Sequence, residues 1–369
     1  MQKKKIVWIT GACFTETDYN YNVMSQLAQK FEIHWLILRT KKNYLPESAF
    51  NIFKDLPNFK IYWRTNIYRI RDPRSLYFYY KLLLTIRTLK PDIIYCNVSP
   101  EPAFAIMSLF LKNNKTIFAA HDGKVQNDSS AFGFIRTFGY NTLFKHSKYV
   151  NMFSKSQAEL MKKTYPQNKI HTMVLPLKNF GTSPLTLPTN YIRFLSFGSI
   201  IYQKNIDLLI EAAELLYEQG YRNFKVSING GCNNWEFYES KIKHPEIFEC
   251  NPHFVSNEAL LDLFATSHYS VFPYRSVSQS GVLKLAFNYN VPVITSNIGS
   301  FKEEVIEGTN GFFFEVENST SLANVMKYCI NLPNSEYASL KKNMINYTNK
   351  TYSTERIVAY YTELFTNFI

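Results

Sequence analysis

The 369-residue chain has no apolar run long enough to cross a bilayer, because Lys81 and Arg87 interrupt the best candidate, 76–89. Its start, Met1-Gln2-Lys3-Lys4-Lys5 followed by a short apolar 6–9, reads as a first β-strand and not as a signal peptide. Cysteine is scarce: Cys13, Cys96, Cys232, Cys250 and Cys329 are odd in number, scattered and never spaced C-x-x-C. That excludes a disulfide framework and a zinc site of ordinary spacing, and fits reduced, mostly buried thiols of a cytosolic protein. No G-x-G-x-x-G follows the first strand, whose loop at 11–20 holds one glycine, so a dinucleotide-dependent dehydrogenase is disfavoured. No D-x-D pair occurs anywhere, so no metal site is expected. Acid is scarce only in the first half. Residues 1–182 carry 27 Lys+Arg against 11 Asp+Glu, a net of +16, which leaves 14 against 18, a net of −4, for the rest.

What is present is a large apolar content, 46% hydrophobic and 16% aromatic, on a chain too long for one ordinary core. Two α/β domains are expected. Strand 5–10, helix 22–30 and strand 32–38 make a βαβ opening, and 41–74, broken by Pro46, Pro57 and Pro73, is assigned loosely. Helix 75–89 places Leu76, Leu83 and Ile86 on one face for the sheet, with Lys81, Thr85 and Thr88 on another. Strand 92–97, helix 102–111, strand 115–120 and a short strand at 151–154 with helix 157–163 complete domain 1–182. Residues 183–190, the charge-free tail of GTSPLTLPTN, form the linker. The pattern then restarts over 191–350 with strands at 191–197, 224–229, 253–255 and 269–272, and a last helix in 351–369 is expected to return to the first domain.

Within the second half, YRSVSQSGVLKLAFNYNVPVITSNIGSFKEE (274–304) places the polar run Ser278-Gln279-Ser280-Gly281 before an apolar helix, 282–289, and a strand, 291–295. A loop feeding a helix N-terminus offers unpaired N–H groups and dipole charge to an anion such as a diphosphate; an ordinary Ser N-cap on a buried helix reads equally well. His121-Asp122-Gly123 ends a strand, where ligands of open α/β sheets sit, although a lone His there is also a common structural residue. In the basic half, 41–90 holds 11 basic and 3 acidic residues among aromatics such as Tyr62-Trp63-Arg64 and Tyr77-Phe78-Tyr79-Tyr80-Lys81. Nucleic acid, an anionic membrane surface, an acidic acceptor or a merely solvated face would each suit it.

The order FLSFGSIIYQKNIDLLIEA, FKVSINGG, FVSNEALLDLFATSHYSVFPYRS, SQSGVLKLAFNYNVPVITSNIGSFKEEV, EGTNGFFF resembles family 4 glycosyltransferases of the GT-B architecture, closely over about 191–330 and loosely before that. The resemblance implies two Rossmann-like domains facing a cleft. It implies that Gly198 and Lys204 approach the donor diphosphate, that Gln279, Ser280, Gly281 and the adjoining Val282 meet the phosphates, and that Phe254 and Val255 lie near the nucleobase. His121, with Asp122, falls near the donor sugar, and Glu303 at an acidic position that caps a helix or faces the donor.

Two glutamates usual in the family are absent: their places fall at Val277 or Ser278 and at Leu285 or Ala286, and the family's basic residue in the first turn is Ser199. Arg275 is a candidate for the missing charge, or an ordinary surface arginine. The implied reaction is retaining, metal-independent transfer from a nucleoside diphosphate sugar, most simply a UDP-sugar and with no other cofactor, to a hydroxyl of a glycan or lipid-linked acceptor. A peripheral enzyme at the inner face of a bacterial membrane, building capsule, O-antigen or lipooligosaccharide, is the reading of the whole. A non-catalytic nucleotide- or glycan-binding subunit and a sugar-nucleotide epimerase are the alternatives; nucleic acid is disfavoured because no recognition motif accompanies the charge.

Overall fold

A computed structural model describes residues 3–11, 17–40, 47–68, 72–125 and 133–367. Cys13, Arg69 and Arg71 lie outside the described residues. The chain divides into two compact units, Met1–Leu175 with Thr354–Ile369, and Pro176–Ser353.

In chain order the first unit holds β1 (Lys5–Gly11), α1 (Thr17–Lys30), β2 (Glu32–Arg39), β3 (Phe59–Thr65), α2 (Arg74–Leu89), β4 (Ile93–Asn97), α3 (Pro102–Ser108), β5 (Thr116–Ala120), α4 (Gly133–His146), β6 (Tyr149–Met152), α5 (Lys155–Thr164) and β7 (Lys169–Thr172). The second holds β8 (Ile192–Phe197), α6 (Ile206–Glu218), β9 (Phe224–Asn229), α7 (Trp235–Glu239), β10 (Phe248–Asn251), α8 (Asn257–Ala265), β11 (Tyr269–Phe272), α9 (Gly281–Asn288), β12 (Val293–Ser296), α10 (Phe301–Glu304), β13 (Gly311–Phe314), α11 (Ser319–Asn331) and α12 (Asn334–Tyr352). Helix α13 (Thr354–Asn367) ends the chain. The sheets run β3-β2-β1-β4-β5-β6-β7 and β10-β9-β8-β11-β12-β13. Each is a doubly wound parallel sheet whose strand order reverses once, at β1/β4 and at β8/β11.

Continuous apolar strands such as KIVWITG bury both faces, as parallel sheets require. Register sorts the residues: Trp8 stands opposite Trp35 and Tyr95. These three enter one core with α1 and α13, while Val7, Ile9, Leu36 and Ile94 enter the other with α2 to α5. Helix α13 is part of the first unit's core, where Phe365 meets Trp8, Phe31 and Tyr95 at ring separations of 5.6, 5.7 and 5.8 Å.

Four expectations change. The expected strand at 253–255 is loop, and β10 lies earlier, because 248–251 pairs with β9 and Pro252 follows at once. Residues 183–190, expected as the linker, fall inside the second unit, which begins at Pro176: Ser183 Oγ donates to Asp262 at 2.6 Å, and just before them Phe180 N–H donates to Tyr289 Oη at 2.9 Å. Leu76 faces outward at 43% exposure while Leu83 and Ile86 are buried, so the sheet-facing stripe of α2 excludes it. Cys250 is exposed, unlike Cys96 and Cys329.

Removing the Phe365 ring opens a cavity in a fully buried aromatic cluster. Phe365→Ala is expected to cost about 3–5 kcal/mol, read as a lowered unfolding midpoint of the first unit in denaturant titration.

Candidate functional site

Open α/β sheets bind ligands beyond the carboxyl ends of their strands, at the point where strand order reverses. In the second unit that point lies between β8 and β11, and three segments meet there. The turn after β8 is set by Gly198, whose φ of +112° suits glycine, and a Cβ there would lie 3.2 Å from Val282 Cγ2. Gly230, at φ +143°, lies so close that a Cβ would run into the Gly198 carbonyl oxygen. The two turns are laced together by Gly198 N–H to Asn229 O and Ile200 N–H to Gly231 O, both 2.9 Å. The phosphate-loop candidate and the β8 turn are therefore neighbours, as the residue pattern alone could not establish.

Helix α9 opens at this junction. Ser280 is its N-cap, and its buried Oγ accepts the Leu283 N–H at 3.2 Å. Helix geometry leaves the N–H groups of Gly281 and Val282 without an internal acceptor. A Cβ on Gly281 would meet no atom within 4 Å, so no packing within the unit requires glycine here. Gln279 precedes the cap, half-buried.

Lys204 ends a 3-10 turn, Tyr202–Lys204, that is hung on the β11 side by the Arg275 N–H to Gln203 O bond of 3.0 Å. Its Nζ lies 3.7 Å from the centroid of the buried Tyr274 ring, and among the described residues it makes no ion pair. Burial pushes its ammonium down to about 8. A desolvated cation with an aromatic face as its only described partner favours an arriving anion.

Arg275 does not fit the phosphate role expected of it. Its guanidinium pairs with Asp207 at 3.1 Å and Glu317 at 3.2 Å, donates to Tyr202 O at 2.5 Å and lies 4.2 Å over the Tyr202 ring. Two carboxylates already balance its charge, and it braces the turn that carries Lys204.

Glu303 is exposed on α10, and its neighbour Glu304 has the structural task. Lys284, one turn into α9 and 2% exposed, pairs with Glu304 and lies 3.0 Å from Tyr352 Oη, which donates to Glu304 at 2.8 Å. Burial pushes Lys284 down to about 7, against the pull of Glu303. Sequence reasoning passed over this cluster; its signal was one lysine inside the apolar helical run VLKLAF. Of the positions where glutamates are absent, Leu285 and Ala286 are buried and Val277 and Ser278 half-buried. Phe254 stands 89% exposed in the loop beyond β10, beside a buried Val255.

In the first unit His121 follows β5 and stacks on Phe153 with ring centroids 4.9 Å apart. The Asp122 carbonyl accepts the Tyr140 hydroxyl, and Gly123 N–H donates to Gln157 Oε1 at 2.8 Å. The tripeptide is thus a fixed turn at the carboxyl edge of its sheet.

Residues 182–351 match the family described as Glycosyl transferases group 1. Glycogen synthase of Thermus thermophilus is 27% identical over 126 residues, 34% of this chain and 28% of that protein, so the chain spans about a quarter of the length of the curated relatives it matches. A glycosyltransferase from Rickettsia africae has a TM-score of 0.72 at 17% identity over 100% of both chains. HepE of Anabaena, solved with UDP, has 0.70 at 14% over 98% and 99%. WaaG, a glycosyltransferase of lipopolysaccharide biosynthesis, has 0.65 at 12% over 98% and 100%. The fold is GT-B, with two Rossmann-like domains.

If the Lys204 ammonium meets a diphosphate, UDP binding takes up a proton above the free ammonium's value near 8. Affinity is then expected to fall by up to about ten-fold per pH unit above that value and to stay flat below it, with Lys204→Met abolishing the slope in calorimetric titrations. Gly281→Ala is expected to leave thermal stability unchanged, because the added methyl meets nothing, while weakening UDP by about ten-fold or more through loss of close backbone approach. Equal UDP affinity in Gly281→Ala would remove the α9 terminus from the site.

Proposed function

We infer, from a GT-B fold whose second unit carries the glycosyl transferases group 1 match, that this chain is a glycosyltransferase using a nucleoside diphosphate sugar. The observation that carries the reading is the meeting, at one sheet reversal, of the Gly198 turn, the α9 N-terminus and Lys204, which makes no ion pair among the described residues. UDP is the favoured nucleotide, on the strength of the UDP complex of HepE.

Departure of the diphosphate is the central task. Negative charge develops on the leaving phosphate, and preorganised N–H groups of Gly281 and Val282 with the Lys204 ammonium offset it without reorganising. Ser280 holds the helix terminus in place, Arg275 holds the Lys204 turn, and the Lys284–Glu304–Tyr352 cluster anchors the helix one turn further in. The exposed Phe254 ring offers a face for the base. With no carboxylate where the family has glutamates (Val277 or Ser278, and Leu285 or Ala286), the positive sugar is stabilised by a backbone carbonyl or by the leaving phosphate itself, and retention is the expected stereochemistry. His121 orients a sugar hydroxyl, and Asp122 shares that fixed turn.

The acceptor is a glycan or lipid-linked glycan hydroxyl, taken by the basic, aromatic first unit, in the synthesis of a bacterial surface polysaccharide such as capsule, O-antigen or lipooligosaccharide. WaaG, similar in fold, is described as a lipopolysaccharide enzyme. No helix among the described residues is long and apolar enough to cross a membrane. We place the protein in the cytoplasm, peripheral on the inner face of the membrane and held there by its basic first half.

The test is a panel of UDP-, GDP-, dTDP- and CMP-sugars incubated with the purified chain, with and without EDTA, beside Lys204→Ala and Ser280→Ala. Slow release of UDP from one donor, insensitive to EDTA and lowered about 100-fold in Lys204→Ala, is expected. Tight binding without release from any donor, even with cell-membrane extract as acceptor, favours the non-catalytic reading, and isomerised donor favours the epimerase.

A further inference from the structure

The first unit carries a cavity of about 380 Å³ at the edge of its sheet opposite His121, where the chain enters β4 and β5. Its apolar wall is Leu83, Ile86, Ile94, Phe110 and Leu111. Its remaining lining includes Arg87, Lys90, Lys112 and Lys115, and no acid. None of these four cations makes an ion pair among the described residues; Lys115 Nζ donates to the Pro91 carbonyl at 3.2 Å. Arg87 and Lys90 lie at the C-terminal end of α2, where the helix dipole itself favours cations, but Lys112 and Lys115 follow α3 and answer no such need.

The helices that pack beside the cavity also carry exposed apolar side chains along their length. Leu76, Tyr77, Tyr80 and Leu84 on α2, Leu109 and Phe110 after α3, and Phe134 and Phe138 on α4 are 41–81% exposed, on helices that pack side by side over one face of the sheet. Helix α2 has three basic residues, Arg74, Lys81 and Arg87, and no acidic one. Exposed apolar side chains on the same helices as a cavity lined by cations match a lipid interface, where anionic headgroups meet acyl chains. A nucleic acid partner would leave the apolar cavity wall unexplained.

We propose that this cavity binds the phosphate of an anionic lipid headgroup, with Arg87, Lys90, Lys112 and Lys115 around it and the Phe110 side turned to the acyl chain. The α2 to α4 face thereby seats on the bilayer. The site rests on the reading that the enzyme works at an anionic membrane, and gives that attachment a definite place away from the strand ends that carry His121.

The experiment is sedimentation of the full chain with vesicles of phosphatidylcholine alone and of equal parts phosphatidylcholine and phosphatidylglycerol. Lys112→Glu/Lys115→Glu and Phe110→Ser would be compared with Lys54→Glu/Lys60→Glu, an equal charge change on exposed residues elsewhere in the same unit. Expected is binding to the phosphatidylglycerol vesicles only, weakened at least about ten-fold by the cavity pair, several-fold by Phe110→Ser, and less than about two-fold by the comparison pair. The unfolding transition of the first unit, read by circular dichroism in denaturant, should be unchanged in all three variants, which shows that this unit is folded in each. Equal weakening by both lysine pairs would mean diffuse attraction and overturn the cavity. Displacement from vesicles by inorganic phosphate at matched total phosphate, with ionic strength held constant, would make it a site for soluble phosphate and overturn the lipid assignment. Wild-type chain that ignores phosphatidylglycerol would remove the membrane reading itself, whereas binding unaffected by the cavity variants would remove only this site.

Discussion

Positive charge held without a described counter-charge is the constraint on which the second unit depends. A helix beginning at the carboxyl edge of a parallel sheet leaves its first N–H groups pointing away from the core, and Lys204 adds an ammonium that burial disfavours. Both are held in place by turns that are tied to one another by hydrogen bonds and close packing. Gly198 and Gly230 close on one another, and Arg275 braces the lysine turn with its own charge balanced by Asp207 and Glu317. An arriving diphosphate relieves what the fold leaves uncompensated, and this difference between free and bound states is what a leaving-group site requires.

The buried Lys284–Glu304–Tyr352 cluster extends that logic into the scaffold. Removing one partner would leave a charge buried alone, which costs far more than the pair gains, so the three positions fix one another. They also fix where the chain leaves the second unit. Tyr352 ends α12 inside the cluster, and two residues later α13 begins, with Ile357 and Phe365 fully buried in the first unit's aromatic core. Ser353 alone separates two tightly held elements, whereas the earlier crossover near 175/176 has no regular structure until β8.

The first unit places its chemistry differently. Its sheet buries Trp8, Trp35 and Tyr95 on one face, yet the helices over the other face turn Tyr77, Tyr80, Phe110 and Phe134 outward among basic residues. A basic excess spread along 182 residues of sequence becomes a local chemical character only where the helices gather it.

The sequence by itself determined the alternation of strands and helices, the two α/β halves and the loop before α9, because apolar periodicity and turn residues act over a few neighbours. Strands 224–229 and 269–272 are legible to the residue for that reason. The tertiary structure decided everything that depends on residues far apart in the chain. It tied 176–190 to the second unit and moved Leu76 to the outer side of α2. It showed the Arg275 charge to be balanced by residues 68 and 42 positions away. It brought Lys284, Glu304 and Tyr352 together from three helices. Charge balance and burial are sums over a neighbourhood in space, and only the folded chain supplies that neighbourhood.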